Sequence, residues 1–368
     1  MREHADKVKD KLLNFNLEKK RKWAKERKPY SAFMELTPKC NMNCVHCYLQ
    51  DHHNLNEMSY SKVIEILDIL CEKGILFLTF SGGEIFTRKD FIDIYMYAKR
   101  KGFMIELFSN GLSITNEILD ILKKYPPLLI DISLYGACEE TYYKVTGIKN
   151  AYEKVKSNCK KLLEMGIRVS LKTPILIETQ NEVDKMREFA DELGVPFCVS
   201  YEIDVTIDND PKTKNHQLSI PDMLHCEFED YRRFGKKESG AELDIDEIYH
   251  VDKDSIFICN VAQTSFIIDY EGRMCPCMKF RHRGIKLDPH NFDLIWAEFG
   301  ELQKLKASES YKCKACEARY YCDACAAERE LMYGDLETVN EDACKYAIAR
   351  HAFYRKNWSE KDVINLFE

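Results

Sequence analysis

No stretch of the 368 residues approaches the roughly 20 consecutive apolar positions that a membrane-spanning helix needs. The densest run, residues 75–80, is long enough only for a strand. Residues 1–11 are polar and lack the apolar core of a secretory signal, so export is not expected. An excess of positive charge is missing too. The chain has 54 Lys and Arg against 61 Asp and Glu, a net charge of −7, which argues against a surface for duplex nucleic acid. No internal repeat is visible. Cysteine, by contrast, is abundant: sixteen residues, in a chain expected to stay in the reducing cytoplasm. There a disulfide set is disfavoured, and metal ligation or redox chemistry is the better expectation. At 45% hydrophobic and 31% charged, the chain should be globular, with one large or two modest domains.

Residues 1–28 hold eleven Lys and Arg against five Asp and Glu, a local net of +6. A short apolar stripe, Leu12, Leu13 and Phe15, suggests a basic N-terminal helical arm, either a solvated face or a dock for an acidic partner. From residue 29 to 203, strand and helix patterns alternate. Strands are expected at 33–36, 76–80, 104–108, 128–133, 168–173 and 197–201, and helices at 60–72, 90–100, 116–124, 152–165 and 182–193. Six such units imply an α/β fold with a parallel sheet, either a partial (β/α)6 barrel or an open, doubly wound sheet, with ligands at the strand C-terminal ends. Residues 204–257 break the pattern and read as a linker with helical pieces. Half of the sixteen cysteines then fall between Cys259 and Cys344, so residues 258–350 read as a C-terminal cysteine-rich domain, followed by a tail over 351–368.

Directly after the first strand stands Cys40-x3-Cys44-x2-Cys47. Three thiolates on one short loop can hold three irons of a 4Fe–4S cube and leave the fourth open. Zinc would want a fourth protein ligand, for which His46, His52 and His53 are at hand. The loop, Leu-Thr-Pro-Lys-Cys-Asn-Met-Asn-Cys-Val-His-Cys-Tyr over 36–48, resembles the cluster loop of radical S-adenosylmethionine (SAM) enzymes. One βα unit later, Ser81-Gly82-Gly83-Glu84 resembles that family's Gly-Gly-Glu motif. The resemblance implies that Gly82, Gly83 and Glu84 meet the methionine part of SAM, whose amine and carboxylate chelate the open iron. Ser109-Asn110-Gly111 and Ser133-Leu134-Tyr135-Gly136, at the ends of the third and fourth strands, resemble positions near the SAM ribose. As isolated signals they are ordinary capped turns. Lys172 on the fifth strand is a further position for the SAM carboxylate, or a lysine that snorkels out of the barrel.

The second set runs Cys259-x12-Gly272-x4-Cys277, then Cys313-x2-Cys316-x5-Cys322-x2-Cys325 and, eighteen residues on, Cys344. It resembles the seven-cysteine SPASM extension, which holds two auxiliary 4Fe–4S clusters. Sulfatase maturases space the last pair x3 rather than x2. The resemblance implies one complete cluster on Cys313, Cys316, Cys322 and Cys344, and three ligands of another from Cys259, Cys277 and Cys325. The fourth ligand of that inner cluster is open: where sulfatase maturases have a cysteine, this chain has Ser265. Cys275, two residues before Cys277, would share its face in an extended segment and could complete the site. A zinc ribbon is the physical alternative for residues 313–325.

The resemblance implies an enzyme that reductively cleaves SAM to a 5′-deoxyadenosyl radical and abstracts hydrogen from substrate, fed by a flavodoxin, ferredoxin or reductase. Residues 133–147 are similar to maturases of ribosomally synthesised peptides, so a peptide substrate is expected, with a thioether or carbon–carbon crosslink ahead of epimerisation. Formylglycine formation is disfavoured, because Met278 stands where sulfatase maturases have an Asp base. No leader-binding domain precedes the barrel, so a separate leader-binding protein or the basic arm would serve. Cys138 and Cys198 are hydrogen-donor candidates, Cys71 and Cys159 sit on helical apolar stripes as core residues, and Cys226 lies in the linker. A porphyrin precursor is the second substrate class. A non-catalytic metal-binding scaffold is the reading from another class, and it leaves Gly82, Gly83 and Glu84 unexplained.

Overall fold

A computed structural model of the chain describes residue 19 and residues 21–49, 56–234, 254–322, 324–356 and 359–364. Most of the N-terminal arm, His52, His53 and residues 235–253 of the expected linker lie outside the described residues.

Six parallel strands, β1 (Ser31–Thr37), β2 (Phe77–Gly82), β3 (Met104–Ser109), β4 (Leu129–Ser133), β5 (Val169–Pro174) and β6 (Phe197–Ser200), lie side by side in chain order. Between them run α1 (Tyr60–Glu72), α2 (Phe91–Arg100), α3 (Asn116–Lys124), the pair α4 (Glu139–Thr146) and α5 (Ala151–Glu164), and α6 (Val183–Leu193). Strictly sequential order excludes the doubly wound alternative, which requires a reversal. Right-handed crossovers that never reverse leave these helices on one face of the sheet.

Side-chain alternation divides the two faces. Met34, Phe80, Leu107, Ile132 and Leu171 point to the helical side and are fully buried with Ile66, Leu70, Leu122 and Leu162 of the helices. The other face carries Glu35, Thr79, Glu106, Asp131 and Lys172, which the strand registers bring into adjacent rows. A parallel sheet whose second face is this polar is lining a site rather than a second apolar layer. Local signals hold the helices in place: Ser59 Oγ accepts Lys62 N–H to cap α1, and Thr115 Oγ1 accepts Ile118 N–H to cap α3.

The cysteine-rich region continues this sheet. β7 (Ser265–Ile268) pairs parallel with β1, with Ser31 opposite Ser265, and β8 (Arg273–Cys275) and β9 (Ile285–Lys286) follow antiparallel. The sheet is open, with β6 and β9 as its edges. Within the expected linker, α7 (Ile220–Phe234) packs on a long helix, α10 (Glu341–Lys356), which runs straight through the boundary expected at residue 350. Buried Glu227 of α7 accepts from Tyr346 Oη at 2.7 Å, Arg350 Nε at 2.9 Å and Tyr354 Oη at 2.9 Å. Two further helices, α8 (Phe292–Leu302) and α9 (Ala326–Tyr333), complete the region around the cysteines. Among the described residues, no helix is long and apolar enough to cross a membrane.

Candidate functional site

The loop bearing Cys40, Cys44 and Cys47 leaves the C-terminal end of β1 and rests on the end of β2. Gly83 N–H donates to Thr37 O and Glu84 N–H to Lys39 O, each at 2.8 Å. A Cβ on Gly82 would stand 2.2 Å from Thr37 O, and one on Gly83 2.2 Å from Lys39 O. The two glycines are therefore required by protein packing against the cysteine loop itself. From the other side, Asn43 N–H donates to Thr146 O at 2.9 Å and Val45 N–H to Val145 O at 3.0 Å. These are last-turn carbonyls of α4, which otherwise lack helical partners. Sequence periodicity passed over α4, yet it is the shelf on which the loop sits.

Glu84 is fully buried. Its oxygens accept Phe86 N–H at 3.0 Å, Asn110 N–H at 2.7 Å and Ser109 Oγ at 2.9 and 3.0 Å. Burial pushes its carboxyl up to about 7, against the pull of these donors. The carboxylate is thus engaged inside the fold, where it binds the end of β3 to the end of β2. Asn110 in turn donates Nδ2 to Asn41 Oδ1 at 2.7 Å and to Cys40 Sγ at 3.6 Å, and Asn41 Nδ2 donates to Ser113 Oγ at 2.7 Å. Asn41 and Ser113 were not singled out in the sequence. Only the position of Asn41 beside Cys40 hinted at it.

Burial raises the Cys40 thiol to about 12 and Cys47 to about 11, against the pull of the backbone donors at Met42 and Leu49, and holds Cys44 well above its usual value. Cys47 and Cys40 both act on Cys44. Three half-buried thiols on one loop resist ionising together, and a bound cation would remove that penalty. None of the sixteen cysteines is in a disulfide. His46, on the same loop, lies 5.0 Å from the Tyr135 ring, its Nδ1 buried without a partner among the described residues. The loop therefore fits an iron–sulfur cluster with one further ligand: three soft, half-buried donors on one short loop, beside an unsatisfied buried nitrogen.

Lys172 lies with Asp131 on the polar face of the sheet, Nζ 3.8 Å from Oδ2 and 3.0 Å from the Phe108 ring centroid. Burial lowers it to about 8, against the pull of Asp131. The register pairs Lys172 with Ser133 on one side and with exposed Cys198 on the other. Cys138, also exposed, precedes α4, its Sγ 3.4 Å from Glu182 Oε1 and 3.5 Å from Thr141 Oγ1. Cys159 is buried in the core and Cys71 is half-buried against it, while Cys226 is half-buried on α7.

In the C-terminal region, Cys313, Cys316, Cys322 and Cys344 line one cavity, with Tyr311 and Arg329. Cys259, Cys277 and Cys325 form a second group, within electrostatic reach of one another. Cys275 does not join it. It is fully buried, with Sγ against Arg273 O at 3.7 Å and so near Gly284 that a Cβ there would lie 2.6 Å away. The charged groups dominating its surroundings are Asp269, Arg281, Arg273 and Glu35. β8 ends at Cys275, and Cys277, itself extended, opens the turn that follows Pro276.

A sequential parallel sheet with a three-cysteine loop at the C-terminal end of its first strand is the architecture of a radical SAM protein. Residues 34–190 match the model of the radical SAM superfamily, whose enzymes bind SAM and a 4Fe–4S cluster, and form a radical SAM domain. The AdoMet-dependent heme synthase of Methanosarcina barkeri is 24% identical over 324 residues, 82% of this chain and 92% of its own. The antilisterial bacteriocin subtilosin biosynthesis protein AlbA of Bacillus subtilis is 29% identical over 168 residues, 45% of this chain and 38% of its own. Streptococcus suis SuiB bound to S-adenosylmethionine shares the fold, with a TM-score of 0.67 at 16% identity over 86% of this chain and 77% of that one.

Proposed function

We propose that the chain is a peptide maturase: a radical SAM enzyme that abstracts hydrogen from a peptide and introduces a thioether or carbon–carbon crosslink, helped by two auxiliary 4Fe–4S clusters. The observation that carries this reading is a cavity of about 730 Å³ beyond the C-terminal ends of β5 and β6, with Cys325 in its wall. Glu202, Glu328 and Asp342 line it against only Lys214 and Arg329. Both cations have partners inside the protein: Lys214 Nζ donates to Ile203 O, and Arg329 to Tyr311 Oη at 2.8 Å. Lys279 pairs with Glu328 at 2.5 Å, so the lining is close to neutral, and an extended peptide would find apolar walls and polar anchors there. SuiB, whose fold this chain shares, has been solved with its precursor peptide SuiA. Similarity to the heme synthase over 92% of its length favours the porphyrin class as the second reading.

When bound, the loop cluster and SAM supply a carbon-centred radical that takes a hydrogen atom from substrate. The chain's residues set where that occurs. Cys40, Cys44 and Cys47 would hold three irons. Gly82, Gly83 and Glu84, with Ser109 and Asn110, fix the loop and the strand ends where SAM would bind. Lys172 offers a cation for the SAM carboxylate, with Ser133 beside it. Cys313, Cys316, Cys322 and Cys344 would hold one auxiliary cluster, and Cys259, Cys277 and Cys325 three irons of the other. A flavodoxin, ferredoxin or reductase would deliver the electron. For epimerisation, Cys138 or Cys198 would return a hydrogen atom.

Co-expression with short peptides encoded beside the gene, followed by mass spectrometry, tests the reading. A peptide lighter by two hydrogens is the expected product, and uptake of one deuterium from D2O would redirect it to epimerisation. Unchanged peptides, together with a Soret shift on adding iron coproporphyrin to the purified enzyme, would transfer the assignment to the porphyrin class.

A further inference from the structure

Glu35 lies on β1, five residues before Cys40, and has no exposed surface. Tyr48 follows Cys47 directly, and its Oη donates to Glu35 Oε1 at 2.9 Å. That bond ties the two ends of the cysteine loop together. Arg281, four residues after Cys277 in the 3-10 turn Met278–Arg283, grips the same carboxylate with both terminal nitrogens. Nη1 donates to Oε2 at 2.7 Å and Nη2 to Oε1, while the guanidinium stands 5.5 Å from the centre of the Tyr48 ring.

A buried Arg–carboxylate pair is weak support for stability, because desolvation of both ions offsets their attraction. Its distinctive property is geometric: two parallel bonds define a plane and a distance that a single ammonium cannot. Here the fork joins chain positions 246 residues apart. It leaves Arg281 Nε buried without a partner among the described residues, so it is not optimised as a stabilising contact.

We infer that Glu35, Tyr48 and Arg281 form one buried bracket whose task is positioning: it fixes the Cys40–Cys44–Cys47 loop against the turn that carries Cys277. The bracket thereby sets the spacing between the two iron sites that these cysteines would hold. The inference rests on the cluster assignment proposed above.

The test uses the full chain, purified anaerobically and loaded with iron, as Arg281→Lys, Glu35→Gln and the milder Tyr48→Phe. Three readouts are taken: iron per chain, hydrogen exchange of the backbone amides at 40–48, and magnetic coupling between reduced clusters by pulsed EPR. Arg281→Lys and Tyr48→Phe are expected to keep the parent's iron. Exchange at 40–48 should rise by about tenfold, the scale set by losing one hydrogen bond to a charged group. The inter-cluster coupling should shift or broaden. Parent and variants with full iron and the same exchange and coupling would overturn the bracket. Should Arg281→Lys not fold, Tyr48→Phe, which removes one hydroxyl, carries the same reading. Failure of the cluster assignment would look different: the parent itself would lack iron in the C-terminal region.

Discussion

Asn110 donates its backbone N–H to the Glu84 carboxylate at 2.7 Å, and its side chain reaches Cys40 Sγ at 3.6 Å. Two motifs separated by a whole βα unit are thus one bonded assembly beneath the cysteine loop. Glu84→Gln turns one acceptor oxygen into a donor facing other donors. Leaving a buried group unsatisfied costs about 1–3 kcal/mol. The melting temperature of anaerobic protein should drop by several degrees. An unchanged melt would mean that this carboxylate is not needed within the fold.

Gly83→Ala places a methyl 2.2 Å from Lys39 O, and backbone cannot yield as a flexible side chain would. The expected result is loss of the loop cluster alone, about four irons per chain, with the remaining iron retained. SAM cleavage should disappear with it. Full iron and normal cleavage in this variant would show that the loop can move away without consequence.

Lys172 carries the clearest pH signature, because burial lowers it to about 8. Between about pH 8 and its ordinary value, the folded chain sheds a proton that the unfolded chain keeps. The contribution of Lys172 to stability therefore rises with pH across that window. Its use as a cation runs the other way: SAM affinity should weaken as pH passes about 8, by up to about tenfold per unit. Lys172→Met should bind SAM weakly at every pH, with no slope. A flat profile in the parent would remove Lys172 from SAM binding.

Cys275 and Cys325 make a matched pair for iron analysis. Cys275→Ser should leave iron content unchanged, since its buried thiol is packed against Gly284 and the Arg273 carbonyl. Cys325→Ser should lower the iron content and bleach part of the visible absorption. Iron loss in Cys275→Ser with a normal melt would restore it as a ligand.

Much of this was legible in the chain itself. Helices at Tyr60–Glu72 and Asn116–Lys124 match the expected ranges to the residue, and the six strands agree within a few positions. Each has a strong apolar period and a capping or turn residue at its end. α4 was missed because its eight residues carry only two apolar turns, and much of it reads as a loop motif. The Val145–Thr146 carbonyls that hold the cysteine loop are backbone groups, which no side-chain pattern can announce.

The motifs and the family they resemble gave the class of chemistry: three cysteines within eight residues, then Gly-Gly-Glu one unit later, and a second set beyond. Such spacing acts locally, since a few bonds bring those thiols to one point. Tertiary structure decided what depends on distant partners. It packed Cys275 against Gly284, locked Glu84 inside the fold, placed four late cysteines around one cavity and brought Arg281 onto Glu35. Each of these contacts joins segments that meet only after the sheet has set its strand order. Their energies therefore belong to the packed molecule and have no trace in local periodicity.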